Sequence, residues 1–291
     1  MTKKSNRYQV FRYQPPKEYD LVITYGWFGH GVCGHTFEML EYYFMLREHY
    51  RVCIVSVDLD QKTLEQVAFE KYNISSLPDV FYTPRPRVFD ASGQVLLITD
   101  GSLGTLRDMN YIINAKHTIG FRCGKHTNQN NLKNYTLLMD FRVYNDRPSS
   151  TLIDYTKKIH FSMLRKPLHK VTNTALIYAT PNCREILDID SIKDCYSFQN
   201  YIVIQDKKPI LDLFDKIDTY IYTPIGRQFD CSPRLIAEMK YFGKQVIYHS
   251  IDYTDAGLEV RQQDLNAGID KLQLTNNDSI IGILSEHISS P

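Results

Sequence analysis

The stretch Asp230-Cys-Ser-Pro-Arg-Leu-Ile-Ala-Glu238-Met-Lys-Tyr-Phe-Gly243-Lys-Gln-Val-Ile247 reads as a capped helix followed by a buried strand. Ser232 suits an N-cap and Pro233 the first helical position, while Leu235, Ile236 and Met239 supply an apolar face. Gly243 stands where a helix ends on a residue of positive φ. The start of such a helix offers unpaired N–H groups and a partial positive charge, which suit a phosphate. Asp230 comes just before that start, and Glu238 lies two turns along.

Outward from this segment the chain reads as two α/β halves. In the first, Asp20 to Tyr25 is a strand, Thr36 to Glu48 a helix, and Arg51 to Val57 a second strand running into Asp58. A βαβ unit of this kind implies a parallel sheet. Further strands are expected at Asp79 to Thr83, Gln94 to Thr99 and Tyr135 to Met139, and helices at Leu64 to Tyr72 and Ser150 to Leu164. The second half restarts at Thr174 to Ala179. Its other strands are expected at Tyr201 to Ile204, Thr219 to Tyr222, Gln245 to Tyr248 and Ser279 to Leu284. The basic, proline-containing link Arg165 to Lys170 sets the boundary, giving domains of residues 1–168 and 169–291.

An acid, seven residues, a second acid and then Gly-Lys-x-Val-Ile resembles the donor-binding signature of the retaining GT-B glycosyltransferases. The resemblance covers about eighteen residues. It implies two Rossmann-like domains whose parallel sheets face a cleft, the first on the acceptor side and the second on the donor side. It also implies that Asp230 lies beside the transferred sugar and that Glu238 binds the nucleotide ribose. The turn and helix start (Ser232, Pro233, Arg234) would then hold the diphosphate. Asp replaces the usual Glu at the first acid, and Ser-Pro-Arg replaces a glycine-containing middle.

Four of the fourteen glycines fall within Gly26-Trp-Phe-Gly29-His-Gly31-Val-Cys-Gly34-His35, a turn that lets backbone approach a ligand closely. Gly29, Gly31 and Gly34 match G-x-G-x-x-G, and Asp58 follows 24 residues after Gly34, about where a dinucleotide-binding fold keeps its ribose acid. That leaves an NAD(P)-dependent Rossmann enzyme as an alternative, and a non-catalytic α/β nucleotide-binding protein as another. Against the fingerprint, Gly26-Trp27-Phe28 separate the strand from the motif. His30 is the loop's candidate general base, with His35 and Trp27 as acceptor-side groups. Arg184, in Pro181-Asn-Cys-Arg184, follows a strand and suits bidentate phosphate contact, as does Arg227; Lys193 is a weaker candidate.

A net charge of +1 excludes a broadly basic nucleic-acid coat, so any polyanion contact must be local. The six cysteines form no CxxC pair, Cys33 and His35 cannot build a metal site alone, and no apolar run is long enough to span a bilayer. The expectation is a cytoplasmic protein with free thiols, needing no metal or other cofactor beyond a nucleotide-diphosphate sugar as co-substrate. The wider run Tyr222 to Glu238 is similar to glycosyltransferases of T-even-like bacteriophages. Some phages of that group decorate hydroxymethylcytosine in their own DNA. This resemblance implies transfer from a UDP-sugar, UDP-glucose or UDP-arabinose, to 5-hydroxymethylcytosine in host cytoplasm. Arg165 and Lys166 are then candidates for a DNA-facing rim.

Overall fold

A computed structural model describes residues 11–24, 32, 34–57, 59–84, 86–99, 112–121, 136–141, 151–153, 172–178, 187–205, 213–223, 234–249 and 278–288. The elements are β1 (Arg12–Tyr13), β2 (Leu21–Thr24), α1 (Gly34–Leu46), β3 (Val52–Ser56), α2 (Gln61–Tyr72), β4 (Val80–Tyr82), β5 (Val88–Ile98), β6 (Ile112–Phe121), β7 (Leu137–Phe141) and β8 (Thr151–Ile153). They continue as β9 (Thr174–Tyr178), α3 (Ile189–Asp194), β10 (Asn200–Ile204), β11 (Thr219–Tyr222), α4 (Arg234–Tyr241), β12 (Gln245–Tyr248) and α5 (Asp278–Ile288).

Two parallel sheets result, as the continuous apolar runs of the strands require. The first has the order β4-β3-β2-β5-β6-β7-β8, with β1 also on β5, and the second has the order β10-β9-β11-β12. Each order reverses once, between β2 and β5 in the first sheet and between β9 and β11 in the second. Crevices for ligands form at the carboxyl ends of the strands at such reversals. The first sheet bends along β5: its amino-terminal part pairs with β1 and its carboxyl-terminal part with β2. The register against β6 slips between Ala91 and Val95, where Gly93 takes a φ of +87°. The buried Gln94 amide donates to the carbonyls of Pro16 and Tyr19, tying the link between β1 and β2 to the same bend.

The helix at the heart of the sequence reading forms, and it stops where expected. Gly243 has φ +68°, Lys244 N–H donates to the Met239 carbonyl, and Phe242 N–H donates to the Glu238 carbonyl, an ending built around a left-handed residue. α2 ends in the same way on Asn73, φ +59°, and starts on Asp60, whose carboxylate accepts from Thr63 N–H.

Three expectations change. Ser279 to Leu284 lies in helix α5 and is not a strand. Its apolar run is ambiguous by composition, but Ile280 and Leu284 fall one helical turn apart and are both buried in the first core. α5 also packs on the first half, where its Ser285 and His287 meet Tyr50 and His117. The expected helix over Ser150 to Leu164 opens instead as a strand, β8, pairing with β7. β5 begins before the expected Gln94 to Thr99 strand, at Val88, because the bend at Gly93 interrupts the alternation, and β6 is a strand that the sequence reading does not include.

Asp218 organises the amino-terminal edge of the second sheet. Its Oδ2 accepts from Thr172 N–H at 2.7 Å, Thr172 Oγ1 at 3.0 Å and Thr174 N–H at 3.3 Å. Burial alone would raise its pKa, but these donors, with Lys244 nearby, hold it below the ordinary carboxylate value. Its contribution is therefore complete above the unfolded pKa and lost as pH falls through the lower folded one. Asp218→Asn should lower stability at neutral pH and make acid unfolding less steep, measured by urea unfolding between pH 7 and pH 3. An unchanged acid limb would contradict this.

Candidate functional site

The carboxyl edge of the first sheet is held by short polar side chains. Thr24 Oγ1 donates to the Val55 carbonyl at 2.8 Å, and Thr99 N–H donates to the Thr24 carbonyl at 3.0 Å, linking the ends of β3, β2 and β5. The chain leaves this edge after Thr24 and re-enters described structure in α1, so the glycine turn bridges the end of β2 and the start of α1. In the second sheet the segments following β9 and β11, the two strands at the reversal, carry Arg184, Arg227, Asp230, Ser232 and Pro233. Both sets of sequence candidates thus follow, along the chain, strands that flank an order reversal, whose carboxyl ends are where α/β sheets bind ligands.

Most of those candidates, Asp230, His30, Ser232, Pro233, Arg227, Arg184, Gly29, Gly31, Trp27, Arg165 and Lys166, lie outside the described residues, as does Asp58. His35 and Arg234 sit in the first turns of α1 and α4, with only their backbone described. Lys193 lies in the last turn of α3 and pairs with Asp190 at 3.3 Å, an exposed contact within one helix. Gly34 is the first residue of α1 and has open space where a Cβ would stand. The third glycine of a dinucleotide fingerprint is needed for close helix–strand contact, and among the described residues nothing approaches Gly34 in that way.

Glu238 has an environment that the sequence reading does not anticipate. It is 3% exposed, and its Oε1 accepts from Lys71 Nζ at 2.6 Å, across a separation of 167 residues. Lys71, 7% exposed, also lies 3.8 Å from the centroid of the Phe37 ring in the first turn of α1. Beside it, Tyr72 OH donates to Glu41 Oε1 at 2.6 Å. One ammonium thus touches the first turn of α1 and the second turn of α4, the two helices that follow the glycine turn and the Asp230 segment. The pair joins the halves at the point where the candidate segments enter their helices. In this arrangement a ribose reaches Glu238 only by sharing its carboxylate with Lys71 or displacing the ammonium.

Lys71 was legible in the sequence, though by an unfamiliar signal. Leu64, Val67, Ala68, Lys71 and Tyr72 make the buried face of α2, so the lysine lies on an apolar stripe. Glu41 beside Leu40 and Phe44, and Glu238 beside Ile236 and Met239, repeat the pattern. A charge on an apolar stripe calls for a buried partner, since burying an ion alone is costly.

Two further groups sit at the carboxyl edge of the second sheet. Thr223, just past β11, is buried, and its hydroxyl has no partner among the described residues. His249, just past β12, donates its N–H to the Tyr222 carbonyl, and its Nδ1 lies 3.0 Å from Tyr196 OH. Neither carries a sequence signal beyond its place after a strand.

Among the described residues no helix is long and apolar enough to cross a membrane, and no three His, Cys, Asp or Glu side chains are placed to hold a metal ion. Of the described cysteines Cys53 is buried and Cys195 exposed, both unpaired. Neither the protein-family models nor the curated proteins compared with this chain gave a match.

Removing one member of a buried ion pair strands the other in the interior, at a cost of about 3–5 kcal/mol. Lys71→Met and Glu238→Leu should each lose stability on that scale in urea unfolding, while the double variant that combines them should recover most of it. Additive losses in the double variant would mean that the two groups are not coupled.

Proposed function

We propose that the protein is a glycosyltransferase that moves a sugar from a nucleotide-diphosphate sugar to an acceptor hydroxyl. The observation that carries this reading is the junction at Lys71 and Glu238, which ties together the helices entered from the glycine turn and from the Asp230 segment. A two-sheet enzyme needs this convergence if donor and acceptor are to meet from opposite sides. In this reading the diphosphate docks at the start of α4 with Arg227 or Arg184, and Asp230 lies by the transferred sugar. His30 and the glycine turn receive the acceptor.

Negative charge grows on the departing diphosphate as the glycosidic bond breaks. Amides and guanidinium groups already aimed there stabilise that transition state more than the ground state. With the leaving charge neutralised in this way, the mechanism calls on no metal ion. The leaving phosphate oxygen itself can take the acceptor's proton, as the resemblance to retaining enzymes implies. 5-Hydroxymethylcytosine in duplex DNA is the proposed acceptor, on the resemblance to the phage enzymes. Its base would have to be flipped out of the stack to present the primary hydroxyl.

The strand order of the first sheet is shared with dinucleotide-binding folds, and this keeps an NAD(P) enzyme as the competing reading. The open surroundings of Gly34 count against it. Gly34→Ala should therefore leave melting temperature and activity within a few tenths of a kcal/mol of the parent.

A ligand that binds only the folded state raises the melting temperature, so a panel of UDP-sugars, GDP-sugars and NAD(P) separates the readings directly. A nucleotide sugar should stabilise the protein, and NAD(P) should not. Asp230→Asn should lower kcat by more than it weakens donor binding; equal losses would place Asp230 in ground-state binding. Labelled sugar should pass to hydroxymethylated duplex and not to unmodified duplex. Donor hydrolysis without labelling of that duplex would refute the DNA acceptor and leave the donor site standing.

A further inference from the structure

Two polar groups with unmet hydrogen-bonding capacity stand on adjacent strand ends in the second sheet. β11 and β12 pair with Tyr222 opposite Tyr248, and the ladder continues one step further through the His249 N–H to Tyr222 carbonyl bond at 2.9 Å. Thr223 and His249 are therefore neighbours across strands spaced by about 4.8 Å. Side-chain alternation places both on the face of Ile221 and Ile247, the face covered by α3 and the aromatic residues Tyr196, Phe198 and Tyr201.

Thr223 is 4% exposed and its Oγ1 has no hydrogen-bond partner among the described residues. Native interiors seldom leave a hydroxyl in that state without a reason. His249 is pinned on one side only. Tyr196 holds Nδ1 at 3.0 Å and sets its ring edge-on to the imidazole at 5.7 Å between centroids, while Nε2 has no partner among the described residues. Burial holds the His249 pKa below the ordinary imidazole value, so the ring is uncharged at neutral pH. The pair offers a hydroxyl that can donate and accept, and an imidazole nitrogen in a fixed direction. Neither carries charge, which suits a diphosphate poorly. An aromatic surround suits a planar heterocycle better than the hydroxyls of a sugar.

We infer that Thr223 and His249 read the base of the bound nucleotide, with Tyr196 as the positioning residue that fixes the imidazole. This rests on the nucleotide-sugar reading and adds to it the origin of nucleotide selectivity. The base edge hydrogen-bonds to Thr223 Oγ1 and His249 Nε2, while the diphosphate runs toward the start of α4.

The test is calorimetric titration of UDP, CDP, ADP and GDP into the full chain, its Thr223→Val and His249→Gln variants, and Tyr196→Phe. The parent should prefer one diphosphate. Thr223→Val and His249→Gln should each weaken that ligand by about tenfold and narrow its lead over the others, since a lost hydrogen bond of about 1.4 kcal/mol is tenfold in affinity. Tyr196→Phe, which frees the ring without removing it, should produce a smaller loss in the same ligand. Thr223→Val should also keep or raise the melting temperature, because it replaces an unpartnered hydroxyl with a methyl of similar size. Should His249→Gln fail to fold, Thr223→Val decides the matter. A parent that is selective and variants that keep the same selectivity would overturn the inference and leave the nucleotide-sugar reading intact. A parent that binds all four equally would overturn it as well, and a parent that binds none would bring down both.

Discussion

A buried ammonium and carboxylate set the terms for the rest of this molecule. Taking both ions out of water costs several kcal/mol each, and only close contact with further partners returns it. Lys71 has Glu238 at 2.6 Å and the Phe37 ring at 3.8 Å. That requirement fixes where the second turn of α4 stands against α2 and the first turn of α1. The apolar side chains around it add area but little direction. Phe242, packed against both the first core and the core under α4, would tolerate a small sliding of one half against the other. The ion pair is the more directional constraint, because a charge-assisted hydrogen bond needs a set distance and line of approach.

The same pair bears on how a nucleotide could be held. A carboxylate already neutralised by a lysine is a weaker acceptor for sugar hydroxyls than a free one, so affinity must draw more on the diphosphate and on the base. Arginines following β9 and β11 suit the first task, and the uncharged groups at the ends of β11 and β12 suit the second. On the proposed nucleotide-sugar reading, Glu238 is the fixed joint around which these contacts are assembled; what the structure shows is its pairing with Lys71.

What could be read from the residues alone divides along physical lines. Strands β2, β3, β9, β10, β11 and β12 are short unbroken runs of β-branched and aromatic residues, and α4 carries both its apolar stripe and the glycine that ends it; local chemistry suffices for all of these. The βαβ pattern of the first half implies the parallel pairing that both sheets show. Illegible parts depend on contacts distant in sequence. The run Ser279 to Leu284 has no local preference strong enough to separate strand from helix, and only the first core, with room for Ile280 and Leu284 on one side, decides it. Partners for Lys71 and Glu238 lie 167 residues apart, beyond any spacing rule. Thr223 and His249 gain meaning only once two strands have paired in register. The motif candidates Asp230, Arg227 and His30 lie outside the described residues and rest on the sequence.

Helix α5 carries a consequence for how the chain comes to be folded. Its Ile280 and Leu284 complete a core whose other buried members all come from the first half, from Leu21 onward. The first sheet cannot exclude water from that face until residue 288 has been synthesised, long after its own strands are in place. Closing a loop of such length is slow, and a partly covered apolar sheet is exposed meanwhile to misassembly. The two halves are thereby bound into one cooperative event. Loss of the last few turns of chain would open the earliest core to solvent, leaving the second sheet, which α5 does not complete, the less affected of the two.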